Sequence, residues 1–163
     1  MKKFKSFIET FKKKYIAVYF DKESTQKLRD YAINNGFDLS QGYDGSIVDI
    51  NNFDFHATIF FTTSEHITPT GEYNIKPFDI SISGFEFLGP NNDIPVLKVS
   101  VNDELLALRS KFELSGFKDA WPDYKPHISL SYVRDKDIKP KSLPDFKIRV
   151  NKLVVQDQKE KAA

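Results

Sequence analysis

The stretch KPHISLSY at 125–132 decides the reading of this chain, because FHATIFF at 55–61 has already used the same device. Each is an apolar, β-prone run with a histidine two residues before a hydroxyl: His56 with Thr58, His127 with Ser129. Successive side chains of a strand face opposite ways, so His56, Thr58 and Phe60 are expected on one face and Phe55, Ala57, Ile59 and Phe61 on the other. The second run repeats this, with His127, Ser129 and Ser131 against Ile128, Leu130 and Tyr132. Each strand therefore carries an imidazole-and-hydroxyl face on an apolar backing that holds it in a core. The polar face then needs hydrogen-bond partners or solvent.

The surroundings of the two runs are also alike. YIAVYF (15–20) reads as a strand, Asp21 as an N-cap, about 24–34 as a helix carrying Leu28, Tyr31 and Ala32, and Gly36 as its stop. VLKVSV (96–101), Asn102, a helix over 104–114 with Leu105, Leu108 and Phe112, and Gly116 repeat the order. Both stops are Gly-Phe, and an Asp follows each (Asp38, Asp119). The second copy reaches its histidine after about ten residues, whereas the first inserts a longer loop over 38–54. TTSEHITPTGEYNIKP (62–77) reads as a loop, FDISISGFEFL (78–88) as a strand interrupted by glycine, and FKIRVNKLVVQ (146–156) as a last strand. The sum is an α+β domain with more strands than helices.

With 163 residues, 40% of them hydrophobic, and fifteen Phe and seven Tyr, the chain has the material for one aromatic-rich globular core. The formal charge of +1 hides a cluster, since Lys2, Lys3, Lys5, Lys12, Lys13 and Lys14 crowd the first fourteen residues. Phe4, Phe7, Ile8 and Phe11 fall at helical spacing, so 1–14 is expected to hold a short amphipathic helix with a basic face. The absence of cysteine excludes disulfide and thiolate chemistry. FIETF (7–11) is too short and polar for a signal-peptide core, and no apolar run approaches a membrane span, so the expected location is the cytoplasm.

An imidazole near neutral pH serves as base when neutral and as acid when protonated, so two of them suit proton transfer on both sides of one reaction centre. The hydroxyls of Thr58 and Ser129 can donate hydrogen bonds to the oxygens of a phosphate between the strands. Such an arrangement needs no metal. His66, the third histidine, has no hydroxyl at +2 and is expected in a loop or flap. A three-histidine metal site with His56 and His127 would lack the usual ligand spacing, and no metal or cofactor is expected.

HATIFF and HISLSY resemble the paired H-x-[ST]-x motifs of the 2H phosphoesterase superfamily. That resemblance implies a bilobed α+β fold, with two pseudo-symmetric strand–helix–strand halves flanking a central groove. It makes the chain a single 2H phosphoesterase-like domain over 1–163, with the basic helix at 1–14, a first lobe at 15–77 and a second at 78–157. It also implies that His56 and His127 act as general base and general acid, in an order left open, while Thr58 and Ser129 hold the non-bridging oxygens. Ser129 in place of Thr keeps the hydroxyl but gives up the methyl that stiffens χ1.

Within the superfamily, the small size, the lysine-rich start and WPDYKPHISLSY are most similar to the phage anti-CBASS cyclic-oligonucleotide phosphodiesterases. The implied activity is metal-independent cleavage of 3′–5′ bonds in cyclic di- and oligonucleotide immune messengers, in the host cytoplasm if the chain is phage-encoded, with that substrate as the expected partner. No membrane and no stable protein partner are expected. Because aromatic rings stack on nucleobases, Tyr19, Trp121 and Tyr124 are candidate substrate contacts, with Lys125 as a candidate phosphate contact. Other readings keep part of this. One is action on 2′–5′ oligoadenylates or RNA ends bearing 2′,3′-cyclic phosphate. Another is a sponge that binds a cyclic nucleotide without cutting it, and a third is an RNA-binding protein led by the basic helix.

Overall fold

The computed structural model describes residues 12–66, 69–120 and 123–158. They form seven strands and two α-helices: β1 (Lys12–Phe20), α1 (Lys22–Asn34), β2 (His56–His66), β3 (Gly71–Ile80), β4 (Ile82–Leu88), β5 (Ile94–Val99), α2 (Asp103–Leu114), β6 (His127–Ser129) and β7 (Ile148–Asp157). The strands make one sheet in the order β3-β7-β1-β2-β6-β5-β4, antiparallel at every pairing.

The helices end where the sequence places their signals, and for the same reasons. The Asp21 side chain accepts from the Ser24 amide and that of Asn102 from the Leu105 amide, each at 2.8 Å, satisfying a donor that the first helical turn leaves unpaired. At the other ends Gly36 and Gly116 take φ of +86° and +94°. The Phe37 amide then bonds back to the Ala32 carbonyl and that of Phe117 to the Phe112 carbonyl. This paired closure needs a left-handed residue, hence glycine, and it turns Phe37 and Phe117 into the core.

One face of the sheet is apolar. Ile16, Val18 and Phe20 of β1, Ala57 of β2, Leu97 and Val99 of β5, Ile128 of β6, and Leu153 and Val155 of β7 are all buried, with Leu28, Ala32 and Leu105 of the helices in the same cluster. The two histidine strands meet through one residue pair, Ala57 opposite Ile128, both fully buried. Beyond that pair the edge of β2 is completed by other groups. The Arg109 guanidinium donates to the Ile59 carbonyl at 2.6 Å and to Asp119 at 2.8 Å, and it lies between the rings of Phe60 and Tyr124. The Ala120 amide donates to the Phe61 carbonyl.

Several expectations are corrected. The segment 62–77 is mostly strand: β2 runs on through His66, and β3 starts at Gly71 and pairs with β7. Pro77 falls where the β3–β7 register slips, between Asn74 and Phe78, so its missing N–H costs no ladder bond. Residues 78–88 are two strands on opposite edges of the sheet, separated by Ser81. The sheet therefore curls until its edges lie one residue apart, tied by the Ser100 amide to the Ser81 carbonyl. The expected break at 77/78 accordingly falls inside β3, and β7, from the C-terminal end, lies between β3 and β1.

The alternation along β2 also changes. Ile16 pairs with Phe60 but Ala17 with Thr58, so Ile59 is an extra, bulged residue. Phe60 consequently turns into the core and Phe61 to the Tyr15 side, the reverse of a simple alternation. Of the expected basic helix, residues 1–11 lie outside the described residues. Lys12, Lys13 and Lys14 belong to β1, and the Lys14 ammonium is buried in an ion pair with Asp157, so it presents no charge to solvent.

Truncating Ile128 removes the wider half of the joint between the histidine strands. Ile128→Ala is expected to lower unfolding free energy by about 2–5 kcal/mol, read as a lower denaturation midpoint with unchanged m-value.

Candidate functional site

The geometry of the site follows from the Ala57–Ile128 pair. In an antiparallel ladder the next residues out oppose each other on the other face, which sets His56 across from Ser129 and Thr58 across from His127. Four side chains thus form a square on the face away from the helices, and its diagonal joins the two imidazoles. Diagonal neighbours of this kind lie about 7–8 Å apart at the backbone, room for a tetrahedral group between the rings. The burial of Ala57 and Ile128 is what turns these four outward.

Both imidazoles are oriented in the same way. Nδ1 of His56 lies 2.9 Å from the Asp54 carbonyl oxygen and Nδ1 of His127 lies 2.9 Å from that of Lys125. A carbonyl only accepts, so in each ring Nδ1–H donates and Nε2 is left for proton transfer. The Asp54 carboxylate stands 3.6 Å from Nδ1 of His56 and accepts from the Tyr19 hydroxyl at 2.9 Å, while the Tyr19 ring stacks on His56 with centroids 5.6 Å apart. The His127 pKa is pushed down from 6.5, chiefly by burial, with the positive charge available to His56 acting in the same direction.

One motif hydroxyl is held by a tyrosine: Tyr15 and Thr58 share a hydrogen bond of 2.6 Å, while Tyr132 lies near Ser129. Burial raises the pKa of both phenols, that of Tyr132 to about 12, so they remain O–H at neutral pH. A Tyr15 phenol that donates to Thr58 leaves the Thr58 proton to point into the square. Tyr15, Ala17 and Tyr19 alternate along the same face of β1, and the small Ala17 lies across from Thr58. Lys98, exposed and paired with His127 across β5 and β6, adds an ammonium to this face.

Among the remaining expected residues, Tyr124 serves as a wall of the fold: its ring covers Arg109 and its hydroxyl donates to the Thr58 carbonyl at 3.3 Å. Lys125 is exposed and contributes its carbonyl to His127. Trp121 lies outside the described residues. Ser131 does not join the polar face, because β6 ends at Ser129 and the buried Ser131 hydroxyl donates to the Asp38 carbonyl. His66 ends β2 instead of lying in a loop, and its side chain is outside what the structure describes. No group of three or more His, Cys, Asp or Glu among the described residues is arranged to hold a metal ion. No helix among them is long and apolar enough to cross a membrane.

Sequence reasoning missed Tyr15, Tyr132, Asp54 and Lys98. A period-two reading of YIAVYF would have found Tyr15 beside Tyr19. The carbonyls of Asp54 and Lys125 carry no side-chain signature, although both stand at −2 from their histidine.

A family model of the 2′-5′ RNA ligase superfamily matches residues 53–161, the greater part of the chain and both histidine motifs. The chain belongs to this superfamily, the 2H phosphoesterase group its motifs resemble. Among solved structures it is similar to the one described as "Crystal structure of E.coli LigT complexed with 3'-AMP", with 12% identity over 89% of this chain and 87% of that one and a TM-score of 0.55. At that identity the likeness is one of fold. No curated protein matches the sequence.

Tyr15→Phe removes the phenol that orients Thr58 while keeping its ring. It is expected to lower kcat on a 2′,3′-cyclic mononucleotide by up to about tenfold, the scale of one lost hydrogen bond between neutral groups, with little change in melting temperature.

Proposed function

We propose that the chain is a metal-independent phosphodiesterase that opens the 3′–5′ linkages of cyclic di- and oligonucleotide messengers, and so acts as a phage-type antagonist of CBASS immune signalling in the cytoplasm. The observation that carries the phosphodiesterase reading is the square of His56, Thr58, His127 and Ser129, with each Nδ1 committed to a carbonyl and the Thr58 hydroxyl to a phenol. Membership in the superfamily and the fold shared with a protein crystallised with a nucleotide both support it. The cyclic messenger is supported by the resemblance of WPDYKPHISLSY and by the Tyr19 ring beside His56, which offers a base a surface to stack on.

The roles follow from charge. The half-buried His127, its pKa lowered, is neutral at physiological pH and begins as the base. Its Nε2 takes the proton of the ribose 2′-hydroxyl, O2′ bonds to phosphorus, the P–O5′ bond breaks, and Nε2 of protonated His56 delivers a proton to O5′. The Asp54 carboxylate, 3.6 Å from His56, balances that imidazolium. Thr58 and Ser129 donate to the non-bridging oxygens, whose negative charge increases in the transition state. The roles then reverse: neutral His56 activates water, His127 protonates O2′, and the 2′,3′-cyclic phosphate becomes a 3′-phosphate. The two proton transfers and the hydroxyl pair use this chain's own residues throughout.

In this reading the strands β1 to β3 with β7, and β4 to β6, act as two pseudo-symmetric lobes around the square. The repeated strand–helix–strand order and the matched Nδ1–carbonyl bonds support that. A second substrate reading, RNA ends with 2′,3′-cyclic phosphate or 2′–5′ linkages, is favoured by the superfamily's name and uses the same chemistry.

Digestion of a 3′,3′-cyclic dinucleotide beside a 2′–5′ oligoadenylate and an RNA ending in 2′,3′-cyclic phosphate, all in EDTA, tests the assignment. The cyclic dinucleotide is expected to be cut fastest, to a linear 3′-phosphate. His56→Ala and His127→Ala should each lower the rate by about 10²–10⁴, and the double variant by far less than the product of the two. A rate that depends on added divalent metal overturns the mechanism. For kcat/KM the acidic limb requires His127 unprotonated, so activity falls as pH drops through its lowered pKa, with a midpoint below 6.5.

A further inference from the structure

A cleft of about 430 Å³ opens beside the square, walled by Gln41–Gly45, Ile94 and Tyr132–Arg134. Its volume is within the range of small-molecule sites. We propose that this cleft is a second subsite, and that it takes the nucleobase of the nucleotide leaving on the His56 side of the scissile phosphate. The inference rests on the phosphodiesterase reading and adds to it a position for one base.

Three observations support this placement. First, Tyr132 connects the two places: it follows the end of β6 three residues after Ser129, and its ring lines the cleft, stacked on Phe53 at 5.4 Å. Ser129 is the residue opposite His56, so the cleft opens at the end of the square where β2 begins and β6 stops. That is where the departing O5′ and its ribose must lie if His56 is the acid.

Second, the far wall is a built loop that presents an apolar ring to solvent. Gln41 bridges to Ile47, the Val48 amide donates to the Ser40 carbonyl and the Gly42 amide to the Ser46 carbonyl, and the Ser46 hydroxyl bonds Asp44. On this tip Tyr43 is 78% exposed, with its ring edge-to-face against Tyr132 at 5.7 Å. An exposed aromatic ring on an ordered tip beside a phosphate-sized square is the arrangement on which a base stacks.

Third, the cleft has a cationic group on its wall. Arg134 lines it and approaches the Asp93 carboxylate behind the wall only at 3.9 Å, too far for a hydrogen bond. Its guanidinium is therefore available to an acceptor on a base edge.

The test is equilibrium binding of two inert ligands by calorimetry. One is a 2′-deoxy dinucleoside monophosphate, which lacks the attacking hydroxyl; the other is the matching 2′-deoxynucleoside 3′-(methyl phosphate), which lacks the second base. The parent protein is expected to bind the dinucleotide about tenfold or more tightly, the scale of one stacked base. Tyr43→Ala should remove that advantage and Tyr43→Phe should keep it, while Arg134→Ala should reduce it. Equal affinity of the parent for the two ligands, or an advantage that survives Tyr43→Ala, overturns the subsite. If the parent keeps the advantage, Tyr43→Ala removes it, and yet no phosphodiester is cleaved, the subsite stands and the catalytic reading fails.

Discussion

The site depends on one backbone pairing between two buried apolar residues, Ala57 and Ile128. Each lies between a histidine and a hydroxyl residue in sequence, so burying it turns both neighbours to the opposite face. The hydrophobic effect is non-directional, but combined with the period of two in a strand it becomes a positioning device. A slip of one residue in the register of either strand would send that strand's imidazole and hydroxyl into the core and expose its apolar set. The core enforces the register, and the register sets the imidazoles on the diagonal. Arg109 extends this control past the short β6 by bonding the bulged Ile59 carbonyl while its guanidinium is sandwiched between Phe60 and Tyr124.

Matched second contacts give the two imidazoles the same tautomer in unlike surroundings. The Nδ1–carbonyl bond is the same in both, so each presents Nε2. Burial lowers the affinity of His127 for a proton, while His56 has a carboxylate beside it. The proposed mechanism draws on both: like geometry lets roles exchange between two steps, and unlike environment lets one ring start as the base.

Much of this was legible because it is local. The N-caps Asp21 and Asn102, the stops Gly36 and Gly116, and the two H-x-[ST] strands each depend on residues within a turn or a strand of themselves. What was not legible depends on partners far along the chain. β3 is an edge strand that forms because β7, some 75 residues later, supplies its ladder, so Gly71, Pro69 and Pro77 read as loop signals. The inversion at Phe60 comes from a bulge that is visible only against β1. Tyr124 was read as a base-stacking ring, and nothing within its own stretch of sequence indicates that Arg109 occupies one of its faces.

The segment 38–54 has no counterpart of its length before the second histidine strand. Each histidine strand follows a strand and a helix, and the second set is joined with about ten residues. The longer loop of the first touches the square at its end, where the Asp54 carbonyl and carboxylate face His56. It bonds its own backbone into a tip, sets Tyr43 against Tyr132, and supplies one wall of the cleft on the Ser129 side. Exposing Tyr43 and Ile47, the latter 91% exposed, gains nothing for folding, since the apolar burial that stabilises a core is absent there. Exposure on a hydrogen-bonded tip is what the proposed subsite uses. In that reading the square handles the phosphorus chemistry, and the tip meets the base attached beside it.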